Sequence, residues 1–287
     1  MNRRWRWPAR VGALGYLALL IVVPVGSVFY RAFQHGVGTA WDAVTTPEAT
    51  HAFWLTILVV AIAVPLDIVF GVGVALILAR RRFPGAWLLD AFIDIPLALS
   101  PVVVGLGLVF VYGKTGWFGN WLAARGIEVI FSVPGIVMAS ATVALPYVAR
   151  SVLPVLVEIG TEQEQAARTL GAGPVAVFLR ITLPSIRRPL AYGVTLTTAR
   201  VLGEFGAVSI VSGAIVDRTQ TYTQFINASF DNLDPVGAYT GAVILALLSL
   251  VVLLILGGDR DKRREPKWQS PSQESPNDTE LLLPVTT

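Results

Sequence analysis

Two opposite charges stand inside an otherwise apolar run. Arg200 and Glu204 interrupt the stretch 189–216, and residues four apart on a continuous helix share a face. A charge at the centre of a membrane span costs about 3 kcal/mol or more, so it normally faces protein or water. The pair therefore has two readings. It is a gate or wall of a polar path that helps an anion pass, or a buried ion pair that fixes helix packing. Hydroxyls at Thr195, Thr197, Thr198, Ser209 and Ser212 flank it, and Ser100 precedes Pro101 in another apolar stretch. Such hydroxyls can bond oxyanion oxygens, or they can bond the backbone carbonyl one turn back. Gly203, Gly206 and Gly213 permit close backbone approach near Ser209 and Ser212, which makes these two the preferred anion contacts. Asp90 and Asp94 also share a helix face. Two like charges there repel, so one needs a cationic partner or a raised pKa; Asp90 falls near the cytoplasmic boundary beside Arg80–Arg82, and Asp94 lies deeper, paired within the protein. Asp94 and the mid-span Asp67 fit either an ion relay or helix packing.

Hydrolytic and redox chemistry find no support. The chain has no Cys and two His, which excludes disulfides, thiolate metal sites and Cys nucleophiles and leaves too few ligands for a His-based metal site. No metal site and no catalytic residue is expected. Gly113-Lys114-Thr115 lacks the first glycine of a phosphate-binding loop, because that position is Leu108. Gly171-Ala172-Gly173-Pro174 follows no strand, which removes a dinucleotide-binding reading.

The surrounding sequence is that of a membrane protein. Of 287 residues, 54% are hydrophobic and 14% charged, against about 25% charged in a soluble domain. The mean hydropathy is +0.64. Six apolar runs are long enough to span a bilayer as helices: 11–30, 52–79, 95–113, 129–149, 189–216 and 236–257. Of the 22 Lys and Arg residues, seventeen fall in alternate connections and the two ends, four in the remaining connections, and Arg200 within a span. The asymmetry places both termini in the cytoplasm. It also accounts for the basic charge without nucleic acid. The expected organisation is a cytoplasmic N-terminus (1–10), a six-helix membrane domain (11–257) and a Pro- and Ser-containing disordered cytoplasmic tail (258–287).

One cytoplasmic connection, 150–188, is long. Glu158–Leu170 is rich in helix formers, Gly171 and Gly173 stop it, and a second amphipathic stretch, Val175–Ile181, ends before Pro184. A structured loop of this length docks a partner, or it lies on anionic lipid through Arg180, Arg187 and Arg188.

Gln165-Ala166-Ala167, then Gly171, then Ile181-Thr182-Leu183-Pro184 resembles the signature EAA-x(3)-G-x(9)-I-x-L-P of permease subunits of binding-protein-dependent ABC importers. Gln165 replaces the signature Glu, and Glu164 stands one residue earlier. The segment Ala199–Gly213 is similar to the sulfate/thiosulfate permeases, W-type, and less closely to the molybdate and tungstate ones. Asp94–Val103 resembles the third segment of the same group. The likeness extends over roughly 11–257.

The resemblance implies an all-α type I importer permease without catalytic residues, in a bacterial cytoplasmic membrane. Its cytoplasmic coupling helix would dock a separate ATPase, with Glu164, Gln165, Ala166, Ala167, Gly171, Ala172, Ile181, Leu183 and Pro184 at the contact. Arg200, Glu204, Ser209, Ser212, Asp94 and Ser100 would serve translocation or gating. The implied partners are an ATPase dimer, which uses ATP and Mg, a second permease, an extracytoplasmic binding protein, membrane lipid and a sulfate-like oxyanion. Substrate choice would reside mainly in the binding protein. The rival from another class is a self-sufficient ion-coupled carrier using Asp94, Arg200 and Glu204.

Overall fold

The structure is a computed structural model that describes residues 3–81 and 83–257. The tail expected to be disordered, and Arg82, lie outside the described residues.

The first three helices follow from apolar composition and capping. Helix α1 (Arg3–Phe33) ends before Gly36, whose φ of 98° suits only glycine well, and α2 (Val37–Val44) follows. Helix α3 (Pro47–Arg80) starts at a built N-terminus: the Thr46 hydroxyl accepts from Ala49 N–H at 3.2 Å, Pro47 fills the first turn, and Glu48 sits where the helix dipole favours an acid. It runs unbroken through Pro65, because neighbouring helices accommodate what a proline frees in a span.

The third apolar run is not one helix. It forms α4 (Ala86–Ala98) and α5 (Pro101–Tyr112), bent by 115° at the break. Pro101 bars Ser100 from helical geometry, and Ser100 is extended (φ −62°, ψ 138°). The expected span 95–113 is thereby corrected. It begins earlier, at Ala86, and turns sharply in its middle.

After a single short turn, α6 (Gly119–Ala123), helix α7 (Val133–Ile159) overruns the expected end at 149 by ten residues. Gly160, with φ 63°, stops it. Much of the presumed loop is therefore helix. What remains is α8 (Glu162–Thr169), α9 (Pro174–Val177) and a π-helical turn (Phe178–Thr182) that passes directly into α10 (Leu183–Leu202). Pro184 does not end a helix, as expected from sequence; it lies in the first turn of α10, directly after the π turn.

The fifth run also breaks. Helix α10 stops at Gly203, and α11 (Gly206–Ser212) departs at 53°. Helices α12 (Tyr222–Asp231) and α13 (Pro235–Gly257) complete the chain. Among the described residues, four helices are long and apolar enough to cross a membrane, and six crossings result if each bent pair counts once.

The core is a three-helix contact of α3, α7 and α10, with Val64, Val72, Ile136, Val148, Leu156 and Ile186 buried in it. Small residues set the spacing, as is usual where lipid supplies no hydrophobic drive. A Cβ on Gly71 of α3 would stand 2.8 Å from the Cβ of Val148, and one on Gly193 of α10 would stand 3.1 Å from the Cα of the same valine. Gly71→Leu is expected to cost about 2 kcal/mol through overpacking. Gly73→Leu, where nothing lies within 4 Å, is expected to be neutral. Thermal unfolding of the two purified variants checks the contrast. Equal melting temperatures would show that α3 and α7 are not held at this distance. Outside this core, α5 packs on α11 and α7 through Val104, Leu108, Ala139, Val143, Ala207 and Val211. Tyr222 and Phe225 of α12 pack on Ala49 and Ala52 of α3.

Candidate functional site

The projecting end of the molecule is built around α8. Glu162 and Glu164 lie in its first turn and Arg168 in its last, each on the side the helix dipole favours. Its C-terminus closes with Gly171 N–H on the Arg168 carbonyl and Ala172 N–H on the Ala167 carbonyl, both at 3.0 Å, and with Gly171 at φ 87°. This pattern needs a left-handed residue after the helix, which is why a glycine stands there. Leu170, at 88% exposure, forms the tip, and Val175 and Leu179 are exposed beside it. These three apolar side chains stand open in the same connection as the charged α8.

Glu164 points the other way. Its Oε1 accepts from Arg80 Nη2 and from the Thr182 hydroxyl, each at 2.9 Å, while Arg80 Nη1 donates to the Leu156 carbonyl at 2.7 Å. One carboxylate and one guanidinium thus tie α8 to α3, α7 and the π turn. The π turn shifts the register by a residue relative to an α-helix, and Thr182 is buried. The side chains of Arg80 and Glu164 are only 14% and 10% exposed, so the pair is screened less than a surface ion pair.

Among the other residues assigned to docking, Gln165, Ala166, Gly171 and Pro184 are exposed, and Ala167, Ala172, Ile181 and Leu183 are half-buried. Gln165 Nε2 donates to the Thr161 hydroxyl at 3.0 Å. Glu164→Ala is expected to cost about 2 kcal/mol from the lost charged hydrogen bonds and to speed proteolysis across 160–173. Glu164→Gln, which keeps an acceptor for Thr182, is expected to recover part. A wild-type cleavage rate in the alanine variant would remove the brace.

The second cluster lies at the α10–α11 break. Arg200 and Glu204 do not share one helix, as the spacing suggested. Arg200 ends α10, and Glu204 sits in the break, because Gly203 leaves the helix. The ion pair forms nonetheless, Nη1 to Oε2 at 2.6 Å. Glu204 Oε1 also accepts from Ala207 N–H at 2.9 Å, capping α11, and its backbone carbonyl accepts from the Thr223 hydroxyl at 2.9 Å. The Glu204 side chain is 2% exposed and that of Arg200 28%, so the arginine retains one open side. A cavity of about 590 Å³ lies beside this break, lined by Val28, Phe205, Ile226, Phe230, Tyr239 and Leu245.

The hydroxyls divide by their partners. Ser209 donates to the Gly206 carbonyl at 2.8 Å, Thr195 to Ala191 at 2.8 Å and Thr198 to Val194 at 2.7 Å. Ser212, fully buried, accepts from Gln224 Nε2 at 2.7 Å and from Ala214 N–H at 3.1 Å. Ser100 is exposed at the start of α5, without a side-chain capping bond.

Asp90 and Asp94 find their cation in Arg150. Arg150 Nη1 meets Asp90 Oδ1 at 2.7 Å, and its Nε and Nη2 reach the two oxygens of Asp94 at 2.7 and 2.6 Å. The bidentate geometry is one that arginine favours. Sequence reading missed this partner because it placed Arg150 in a loop, whereas α7 continues through it. Asp67 is buried on α3, and its Oδ2 has no hydrogen-bond partner.

Bent apolar helix pairs, a close-packed helical core and a short charged helix braced to it fit a polytopic membrane protein of the permease class. The chain belongs to the family described as binding-protein-dependent transport system inner membrane component, whose pattern matches residues 67–258. It is 48% identical over 243 residues to the sulfate transport system permease protein CysW of Synechocystis sp., covering 85% of this chain and 88% of that protein. It is 40% identical over 238 residues to the CysW protein of Escherichia coli, covering 83% and 82% respectively. Among solved structures it superposes on a chain of a bacterial alginate ABC transporter in complex with an alginate pentasaccharide-bound periplasmic protein, with a TM-score of 0.69 at 16% identity, over 90% of this chain and 96% of that one. The last likeness is one of fold. The chain is a transport component of an importer with several apolar helices in the membrane, and its family is one of transporter subunits, not catalysts.

Proposed function

We propose that this chain is the W-type permease subunit of an ATP-driven importer for sulfate and thiosulfate. The observation that carries the reading is its 40–48% identity to sulfate permeases over more than four-fifths of its length. The Arg-rich end, with both termini, faces the cytoplasm. There an ATPase dimer receives α8, with Leu170 and Gly171 at the tip. ATP and Mg are bound by that partner, and no residue of this chain takes part in hydrolysis. A second, different permease pairs with it in the membrane. An extracytoplasmic binding protein delivers the oxyanion to the opposite end.

Transport follows from two states of the helix bundle with different affinity for ATP-bound and ATP-free partners. The Glu164–Arg80 brace makes α8 move with α3 and α7 as one body. The Gly203 break, pinned by Arg200–Glu204, lies where α10 changes direction and can bend as that body tilts. Arg200 presents a positive field to a passing dianion, while Glu204 offsets it enough that the anion is not trapped.

The test is purification of the tagged chain from its own membranes in mild detergent, with mass spectrometry of its companions, followed by reconstitution with the binding protein. The expected result is a co-purifying ATPase and a second permease, with sulfate uptake that stops without ATP. Uptake by this chain alone, driven by an ion gradient, would overturn the reading in favour of a secondary carrier.

A further inference from the structure

A small charged cavity lies between α8 and the end of α3, away from the Gly203 break. It measures about 220 Å³ and is lined by Arg80, Arg81, Arg168 and Glu164, with Val177 and Phe178 among its apolar walls. Three arginines and one glutamate are thus among its lining residues. That carboxylate is already engaged, because Glu164 Oε1 takes both Arg80 Nη2 and the Thr182 hydroxyl. Arg80 Nη1 is spent on the Leu156 carbonyl, and Arg80 Nε–H is buried with no partner. Arg81 and Arg168 form no ion pair among the described residues. A buried N–H without an acceptor costs about 1–3 kcal/mol, and the lining carries more positive than negative charge. A group that relieves both must be anionic, carry several acceptor oxygens and fit the cavity.

We propose that this cavity binds a tetrahedral oxyanion, a sulfate or phosphate group, held by Arg80, Arg81 and Arg168. Arginine suits such oxygens because its planar fork pairs with them two at a time. Arg80 and Arg81 end α3, and Arg168 ends α8, so the bound anion cross-links the two helices beside the Glu164–Arg80 brace. The group comes from a free anion or from the phosphate of a lipid headgroup.

The experiment uses the full chain, purified alone and placed in nanodiscs. In phosphatidylcholine discs, sodium sulfate is titrated against sodium chloride of equal ionic strength, with thermal unfolding and binding of radiolabelled sulfate as readouts. Saturable binding with a raised unfolding temperature is expected. The Arg81→Gln/Arg168→Gln double variant, which leaves Arg80 and its brace in place, is expected to weaken binding about tenfold or more, as loss of charged hydrogen bonds predicts. In discs containing phosphatidylglycerol, a raised unfolding temperature without sulfate, lost in the double variant, identifies the headgroup as the source. An unchanged temperature there, with sulfate binding intact, identifies the free anion. The proposal is overturned if neither sulfate nor phosphatidylglycerol affects the wild-type chain. It is equally overturned if the double variant responds as the wild type does, which would move the anion to another site such as Arg200.

Discussion

Gly171→Asp is expected to reduce sulfate uptake to background while the chain still inserts and folds. Gly171 sits at φ 87°, and a Cβ built on it meets nothing within 4 Å of the chain itself. Substitution therefore costs only the strain of a left-handed residue, about 1 kcal/mol, and an aspartate tolerates that region better than most side chains. Nothing inside the protein explains a total loss of function. The space that the new side chain occupies is the space an ATPase groove would fill, next to the exposed Leu170. The measurement pairs uptake and ATPase stimulation with the unfolding temperature of the same sample. A fall in stability of several kcal/mol would assign the defect to folding. Normal uptake would mean that the tip of α8 contacts no partner. Gly171→Ala separates the contributions further, since it adds the strain without the charge and is expected to retain most activity.

Glu204→Gln is expected to be the most damaging change within the membrane. The amide keeps an acceptor for Ala207 N–H, so the cap on α11 survives. The charge opposite Arg200, now 2.6 Å away, does not. Removing one partner of a buried ion pair costs about 3–5 kcal/mol, because the remaining charge stays desolvated. Arg200 is partly exposed, so the lower end of that range applies, and transport is expected to fall with stability. Adding Arg200→Gln removes the stranded charge and is expected to restore stability more than transport. A double-mutant cycle with no coupling between 200 and 204 would remove the ion pair from the account, and so would wild-type transport by the single variant.

The two predictions draw on different kinds of information. The membrane class, the number of apolar runs, and the cytoplasmic-loop helix with its closing glycine were legible in the sequence. Each rests on composition or on local backbone chemistry. Twenty apolar residues cross a bilayer wherever they occur, and Gly171 closes α8 for reasons contained within six residues. The Pro101 and Gly203 breaks were legible in principle, since a residue before proline avoids the helix and a glycine weakens it. Yet hydropathy averaged over a window passes across both, so 95–113 and 189–216 read as straight spans. The end of α7 was misplaced because Arg150 looks like a loop residue until Asp90 and Asp94 neutralise it.

The sequence by itself determined that this chain lives in a membrane and carries a glycine-closed helix in its long Arg-rich connection, and the lack of cysteine left no thiolate chemistry. Only the tertiary structure decided which charges meet: Glu164 with Arg80 across 84 positions, Arg150 with Asp94 across 56, and the cavity where Arg81 and Arg168 converge. The reason is physical. Backbone and hydropathy preferences act over a few residues, but the partner of a buried charge is set by helix rotation and register. Here those depend on a π turn at Phe178–Thr182 and on the close approach at Gly71 and Gly193.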